Sequence, residues 1–282
     1  MTGGEQRRIV GIIGHPISHS LSPLMHNAEF RRLGMNWEYR AVDVPPEKVG
    51  DTVKSFRAEG IAGFNVTIPH KLAVMEFLDE ITPEALLIGA VNTVQNLNGR
   101  FIGHNTDMAG WRDDIEQDIP LAGRKVCLIG AGGAARAIAV GTLKAGAATL
   151  RIIARRAEAA ARLAADLAPM AGQCSLSGTS LDNANTAVSE CEVLVNTTPV
   201  GMAAHPGIPI RASWITRHHY VYDSIYVPAE TELLKAARLA GARTRNGLGM
   251  LARQGAAAFE IWTGMKPDAT AMEATLRAHL KA

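Results

Sequence analysis

No apolar run in this chain reaches the roughly 18 residues a membrane-spanning helix needs, and the opening MTGGEQRRIV has no core of signal-peptide length. Charge of one sign is also missing. The formal net charge is +2, and no basic block exceeds pairs such as Arg7-Arg8 and Arg31-Arg32, which gives no argument for a nucleic-acid partner. Cysteine is scarce: Cys127, Cys174 and Cys191 stand far apart, with no CxxC, no metal-like Cys/His spacing and no even disulfide framework. A reducing, cytoplasmic setting is the expectation. There is no HExxH. His15, His19 and His26 share one stretch, but they read as turn and helix-start residues, so no metal is expected. What is present is apolar residue in quantity: 47% hydrophobic against 20% charged over 282 residues. That is enough for a full core in one large or two ordinary domains.

Short apolar runs alternate with helical patterns along the whole chain, the rhythm of an α/β fold with parallel pairing through crossovers. In the first half, strands are expected at Arg8–Ile13, Trp37–Val42, Gly63–Ile68, Ala90–Gln95 and Arg100–Gly103, the last two joined by the hairpin dipeptide Asn98-Gly99. Helices are expected from Pro23 to Leu33 with Ser22 as N-cap, from Glu47 to Glu59, from His70 to Leu78 and from Met108 to Ile115. After a turn at Asp118–Gly123, strands are expected at Val126–Ile129, Thr149–Ile153, Val193–Asn196, Tyr220–Asp223 and Arg243–Arg245. Gly249–Trp262 reads as a helix too apolar on one face to be a tail, and it is expected to pack back on the first domain.

The stretch Lys125–Val140, KVCLIGAGGAARAIAV, reads as strand, glycine turn and helix start, with the spacing Gly130-x-Gly132-x-x-Ala135 of a dinucleotide-binding turn. Gly130 allows the tight turn, Gly132 lets a pyrophosphate approach the backbone, and Ala135 permits close helix–strand packing. The helix N-terminus offers N–H groups and a positive dipole end to phosphates. Polar residues also gather where a core has little use for them: Asn65, Thr67 and Lys71 in NVTIPHK, Asn92 and Thr93 in GAVNT, and Asn105, Thr106 and Asp107 in GHNTD. Each cluster reads as the end of a strand or the residues just past it, the place where open α/β sheets bind ligands. A compact ammonium such as Lys71 suits the stabilising and protonating of a developing alkoxide, and an adjacent carboxylate at Asp107 would orient it.

These motifs resemble the shikimate dehydrogenase family, and the likeness runs nearly end to end. GHPISHSLSPLMHN, NVTIPHK, GAVNT, GHNTD, GAGGAAR, NTTPVGM, DSIYVPAET and GLGMLARQG occur in the family's order. The resemblance implies reversible reduction of 3-dehydroshikimate to shikimate with NADPH. Ser20 and Ser22 would bind the substrate carboxylate. Thr67, Asn92, Asp107 and Gln254 would bind its ring hydroxyls, and Lys71 with Asp107 would be the catalytic pair. Gly130, Ala131, Gly132, Gly133, Ala134, Arg155, Thr197, Met202, Ile225 and Gly247 would line the cofactor site. The implied architecture is two open α/β domains with a deep cleft between them. Residues 1–107, completed by C-terminal helices 249–282, would bind substrate. Residues 108–248 would form a Rossmann-type doubly wound parallel sheet for NADP. A small-molecule substrate is the expected partner, with no nucleic acid or membrane, in a monomer or homodimer.

The strand Thr149–Ile153 is followed by Ala154-Arg155-Arg156, with no acidic residue to accept ribose hydroxyls. An arginine there suits the 2′-phosphate of NADP. The family's usual Asn-Arg-Thr is kept only at Arg155. The rival readings are a quinate or dual quinate/shikimate dehydrogenase, a silent NADP-binding regulatory module, and another two-domain dehydrogenase of the methylenetetrahydrofolate type. Ser22 leans against quinate, the Lys71–Asp107 pair against a silent module, and the Ser20–Ser22 loop against the third.

Overall fold

The computed structural model describes residues 7–281. Residues 1–6, on which the leader reading partly rests, and residue 282, the last of the expected C-terminal segment 249–282, lie outside the described residues. The chain divides into two compact units, Met1–Gly110 with Leu251–Ala282, and Trp111–Met250.

The first unit carries β1 (Arg8–Gly14), α1 (Ser22–Arg32), β2 (Trp37–Asp43), α2 (Val49–Glu59), β3 (Gly63–Val66), β4 (Glu80–Ile81), α3 (Pro83–Ile88), β5 (Thr93–Leu97), β6 (Arg100–His104) and the start of α4 (Asp107–Ile115). Its six-stranded sheet has the order β2-β1-β3-β5-β6-β4. Pairing is not parallel throughout, as the sequence rhythm suggests. β5 runs antiparallel to both β3 and β6. The β5–β6 pairing is the expected hairpin: Asn98 (φ 55°) and Gly99 (φ 87°) form a two-residue turn with both residues left-handed, which folds β6 straight back on β5. The strand expected at Ala90–Gln95 therefore begins later, at Thr93, and Asn92 precedes it.

Two helix expectations also change. Ser22 does not cap α1 but opens it after Leu21, and the Ser22 N–H points at the Ser20 hydroxyl at 3.4 Å. Between His70 and Leu78 only a short 3₁₀ turn forms, at Ala73–Phe77. The Lys71 carbonyl, which a helix would use internally, instead accepts from the Val91 N–H at 2.8 Å. The Glu47–Glu59 helix begins as a 3₁₀ turn at Pro46–Lys48 before α2.

The second unit carries the rest of α4, then β7 (Lys125–Ile129), α5 (Gly133–Lys144), β8 (Thr149–Ala154), α6 (Ala157–Leu167), β9 (Ser175–Ser180), α7 (Asn185–Glu190), β10 (Val193–Asn196), β11 (Tyr220–Asp223), α8 (Glu232–Leu239), β12 (Arg243–Asn246) and the start of α9 (Leu248–Thr263). The order β12-β11-β10-β7-β8-β9 is parallel throughout, the doubly wound arrangement that reverses direction between β7 and β10. β9, SLSGTS, is a strand without an apolar run. It forms because Gly178 lets the α6 backbone at Ala160 lie directly against it.

The remainder of α9 and α10 (Ala269–Lys281) return to the first unit. Phe259 and Trp262 of α9 join Val10, Phe30 and Tyr39 in one buried cluster, and the Trp262 indole N–H donates to the Val94 carbonyl at 2.9 Å. Burying an aromatic of this size contributes roughly 2–3 kcal/mol, so the returning helix is part of the first unit's core. Against it lies His26, fully buried, its ring stacked on Tyr39 at 4.4 Å and 2°. Neither His26 ring nitrogen has a hydrogen-bond partner among the described residues. Burial holds its pKa down at about 3.

The folded state therefore keeps His26 neutral, while the unfolded chain takes up a proton near its ordinary value of 6.5. Stability falls as pH drops below that value, by about 2 kcal/mol at pH 5. His26→Phe should flatten this slope: urea midpoints measured at pH 7 and pH 5 should converge in the variant and diverge in the wild type. Equal slopes in both proteins would rule the histidine out as the source.

Candidate functional site

The antiparallel β5 has a consequence for the polar clusters. Thr93 at its start pairs with Asn65 of β3 and with His104, the last residue of β6. The start of β5 thus lies at the same sheet edge as the ends of β3 and β6, and the three clusters meet there. Asn92 is the hub. Its side-chain nitrogen lies 2.8 Å from Asp107 Oδ1, 3.0 Å from Thr106 Oγ1 and 3.3 Å from Gln254 Oε1, so its two N–H groups are shared among three acceptors. Its oxygen accepts from the Thr106 N–H at 2.8 Å and the Thr93 hydroxyl at 3.0 Å.

Behind it, Asn65 donates to the Asn92 carbonyl and to Thr93 Oγ1, and accepts from the Tyr39 hydroxyl at 2.7 Å. In front, Lys71 Nζ donates to Asp107 Oδ2 at 2.5 Å. Asp107 is 5% exposed, Asn92 2% and Gln254 9%. A lysine–aspartate pair this sheltered interacts far more strongly than in water, and the Asn105 side chain holds the Asp107 backbone N–H at 3.1 Å. Of the residues expected at the substrate site, the structure joins Lys71, Asn92, Asp107 and Gln254. Ser20, Ser22 and Thr67 take no part in this network among the described residues. Ser22 is buried at the start of α1, Ser20 is half-buried before it, and Thr67 is half-buried just past β3.

The residues expected at the cofactor site lie at or just beyond the carboxyl ends of strands in the second unit's sheet. Gly130 (φ 119°) follows β7, and a side chain there would strike Thr197 Oγ1. Thr197 follows β10, its N–H and hydroxyl both donating to the Ile129 carbonyl. Gly132 precedes α5 with no side-chain cap, and a Cβ added there would meet nothing within 4 Å. The backbone of Gly132, Gly133 and Ala134 is therefore open to a phosphate group, which fits a dinucleotide. Ala131 lies within the same turn, and Ala135 is fully buried against the sheet. Arg155 is exposed just past β8. Ile225 follows β11, Gly247 follows β12 with its N–H donating to the Ile225 carbonyl at 3.1 Å, and Met202 lies in the loop after β10.

Sequence reasoning missed two supports. Tyr39 alternates into the core face of β2 and reads as packing, yet its hydroxyl holds Asn65. Asp223, at the end of β11, is fully buried and accepts from Asn196 Nδ2 at 3.0 Å, the Ile225 N–H at 3.1 Å and the Thr231 hydroxyl at 2.6 Å. An acid closing the apolar strand YVYD was the available signal. Burial pushes the Asp223 carboxyl up to about 6 despite these donors.

The parallel sheet with its glycine turn, carried in one chain with the sheltered lysine–aspartate pair, defines a two-unit, dinucleotide-binding α/β oxidoreductase. Family models agree: the shikimate dehydrogenase substrate binding domain matches residues 12–94, and the shikimate 5′-dehydrogenase C-terminal domain matches residues 247–277. A shikimate dehydrogenase (NADP(+)) of Symbiobacterium thermophilum is 44% identical over 281 residues, covering 97% of this chain and 95% of that protein. A crystal structure of a shikimate dehydrogenase in complex with NADP+ superposes with TM-score 0.91 at 40% identity, over 97% of this chain and 96% of that one. A quinate dehydrogenase from Corynebacterium glutamicum in complex with NAD gives TM-score 0.88 at 34% identity, over 96% and 99%. The chain belongs to the shikimate dehydrogenase family.

The Asp223 cluster makes a stability prediction. Thr231→Val removes the hydroxyl that donates to Asp223 and also accepts from the Leu234 N–H. It should cost about 2 kcal/mol in denaturant unfolding, because a buried acceptor is left short of a donor. Thr231→Ser, which keeps the hydroxyl, should recover most of that loss.

Proposed function

We propose that the chain catalyses the reversible reduction of 3-dehydroshikimate to shikimate with NADPH, a step of aromatic amino acid biosynthesis in the cytoplasm. In this reading the first unit's residues hold the substrate and the second unit's residues hold NADP. The observation that carries it is the Lys71–Asp107 contact inside the Asn92 network. NADPH, when bound, supplies the hydride that the ketone carbon accepts. Negative charge then develops on the carbonyl oxygen. The Lys71 ammonium stabilises that charge and delivers a proton to it. Asp107 aims Lys71 and accepts from the neighbouring ring hydroxyl. Asn92, Gln254 and Thr67 take up ring hydroxyls, and Ser20 and Ser22 take the carboxylate. In the other direction Lys71, having given up its proton, removes one from the alcohol.

On the cofactor side, Gly130 to Ala134 hold the pyrophosphate, Arg155 the 2′-phosphate, and Thr197, Met202, Ile225 and Gly247 the nicotinamide end. Arg156 beside Arg155 adds a second exposed cation. The similarity to an NAD-bound quinate dehydrogenase keeps one second reading in view: a quinate or dual-specificity enzyme.

One assay separates the two readings. Purified protein with NADP or NAD should reduce the dinucleotide with shikimate and NADP, and only weakly with quinate. Preference for quinate would replace the substrate in this reading, and no turnover of either acid would end it. Lys71→Ala should lower kcat by ~10²–10⁴-fold with KM for shikimate little changed, since the interaction it removes is made mainly in the transition state. A large rise in KM with kcat intact would reduce Lys71 to a binding residue.

A further inference from the structure

Gly110 stands in the interior of α4, one turn after Asp107 and on the same face. Glycine in a helix interior costs about 1 kcal/mol relative to alanine, so its place there asks for a reason. A Cβ built on Gly110 would lie 2.6 Å from the Gln254 backbone nitrogen, 2.7 Å from its Cβ and 2.9 Å from its Cα. None of these atoms is the end of a flexible side chain. They belong to the α9 backbone and the root of Gln254. On the neighbouring flank, a Cβ at Gly255 would run into Met25 Cε and come within 3.3 Å of His26 Nε2. At these two successive residues α9 is therefore held against α4 on one side and α1 on the other.

The reach of Gln254 depends on that fit. Its Nε2 donates to Leu251 O on its own helix at 2.9 Å, so the side chain moves with α9. Its Oε1 meets Asn92 Nδ2 at 3.3 Å, already at the long end for a hydrogen bond. A methyl group at position 110 needs roughly 1 Å more room to reach ordinary van der Waals contact, and that displacement takes Gln254 out of reach of Asn92. Asp107 itself keeps its own hydrogen bonds to Asn92 and to the Asn105 side chain.

We propose that Gly110 is a positioning residue for substrate binding: its missing side chain sets the distance at which Gln254 joins the Asn92–Asp107 pair. The proposal rests on the shikimate reading above. Gly110→Ala should then behave as a weaker form of Gln254→Ala. KM for shikimate should rise ~5–10-fold, with kcat and KM for NADP within about twofold of wild type. The double variant Gly110→Ala/Gln254→Ala should be no worse than Gln254→Ala alone within about twofold, since two changes acting through one contact do not add. Met25→Ala gives α9 room on its other flank. It supplies a folded background if Gly110→Ala alone is too unstable, and on it the substitution should still raise KM.

Independent, multiplicative effects of the two substitutions would overturn the proposal. So would an unchanged KM in a folded Gly110→Ala protein whose Gln254→Ala counterpart is impaired, and in either case the shikimate reading would stand. A wild-type protein that turns over no shikimate would end the reading itself, and the proposal with it.

Discussion

Everything at the first unit's sheet edge hangs on one buried side-chain amide. Asn92 has two donors and one acceptor oxygen, and all are engaged: Asp107, Thr106 and Gln254 on the nitrogen side, Thr93 and the Thr106 backbone on the oxygen side. The arrangement matters because a lysine and an aspartate in contact are costly to remove from water, and replacing such a pair by apolar residues is often neutral or stabilising. Stability alone therefore does not account for the Lys71–Asp107 pair. Asp107 keeps one oxygen for Lys71 because Asn92 takes the other. A polar network of this kind rigidifies a site only when each member is satisfied. The chain Tyr39–Asn65–Thr93–Asn92 provides that, carrying the constraint from the aromatic core to the Lys71–Asp107 pair.

The second unit solves a similar problem with different parts. Its glycine turn, Gly130 to Ala134, carries only small residues, and buried polar side chains lie beneath the same sheet edge. Asp223 gathers donors from β10, from the turn after β11 and from the start of α8, fixing the segments that carry Thr197 and Ile225. Asp114 of α4 does the same at β12: the Arg245 guanidinium grips it at 2.6 and 3.0 Å while the Tyr222 hydroxyl donates at 2.8 Å. Both carboxylates are fully buried. Each trades hydration for several directed hydrogen bonds, which fix the geometry of strand ends that apolar packing alone would leave adjustable.

Signals that act within a few residues were legible in the sequence. The turn at Gly130–Gly133, the Asn98-Gly99 hairpin and the parallel strands of the second half all follow from local chemistry, and Lys71, Asn92, Asp107 and Gln254, which the ordered motifs single out, share one hydrogen-bond network. What sequence hid was decided by partners far along the chain. His70–Leu78 has a helical composition, but Val91 claims the Lys71 carbonyl. β9 lacks strand composition, but a glycine admits α6. Asn92 reads as the end of a strand, and it meets the other clusters at one edge because β5 runs antiparallel to β3 and β6. The reading of each cluster as a strand end holds only in part: carboxyl ends at β3 and β6, but an amino end at β5.

Several residues around the first unit's site are poor choices for stability, and they lie close together. Gly110 weakens a helix, and His26 is buried with both nitrogens unpaired among the described residues and within reach of any side chain at Gly255. Lys71 and Asp107 are charges held largely out of water. Elsewhere in the unit the core is conventional, with Phe64 packed edge-on against Phe56 and Phe101. Helix propensity alone would favour alanine at 110, and burial alone would favour an apolar ring at 26. Gly110 lies on α4 and His26 on α1, the two helices against which Gln254 and Gly255 of α9 are packed, which is where the proposed spacing constraint would act. Stability lost here is carried by the aromatic cluster of Phe30, Tyr39, Phe259 and Trp262, which lies behind the same helices.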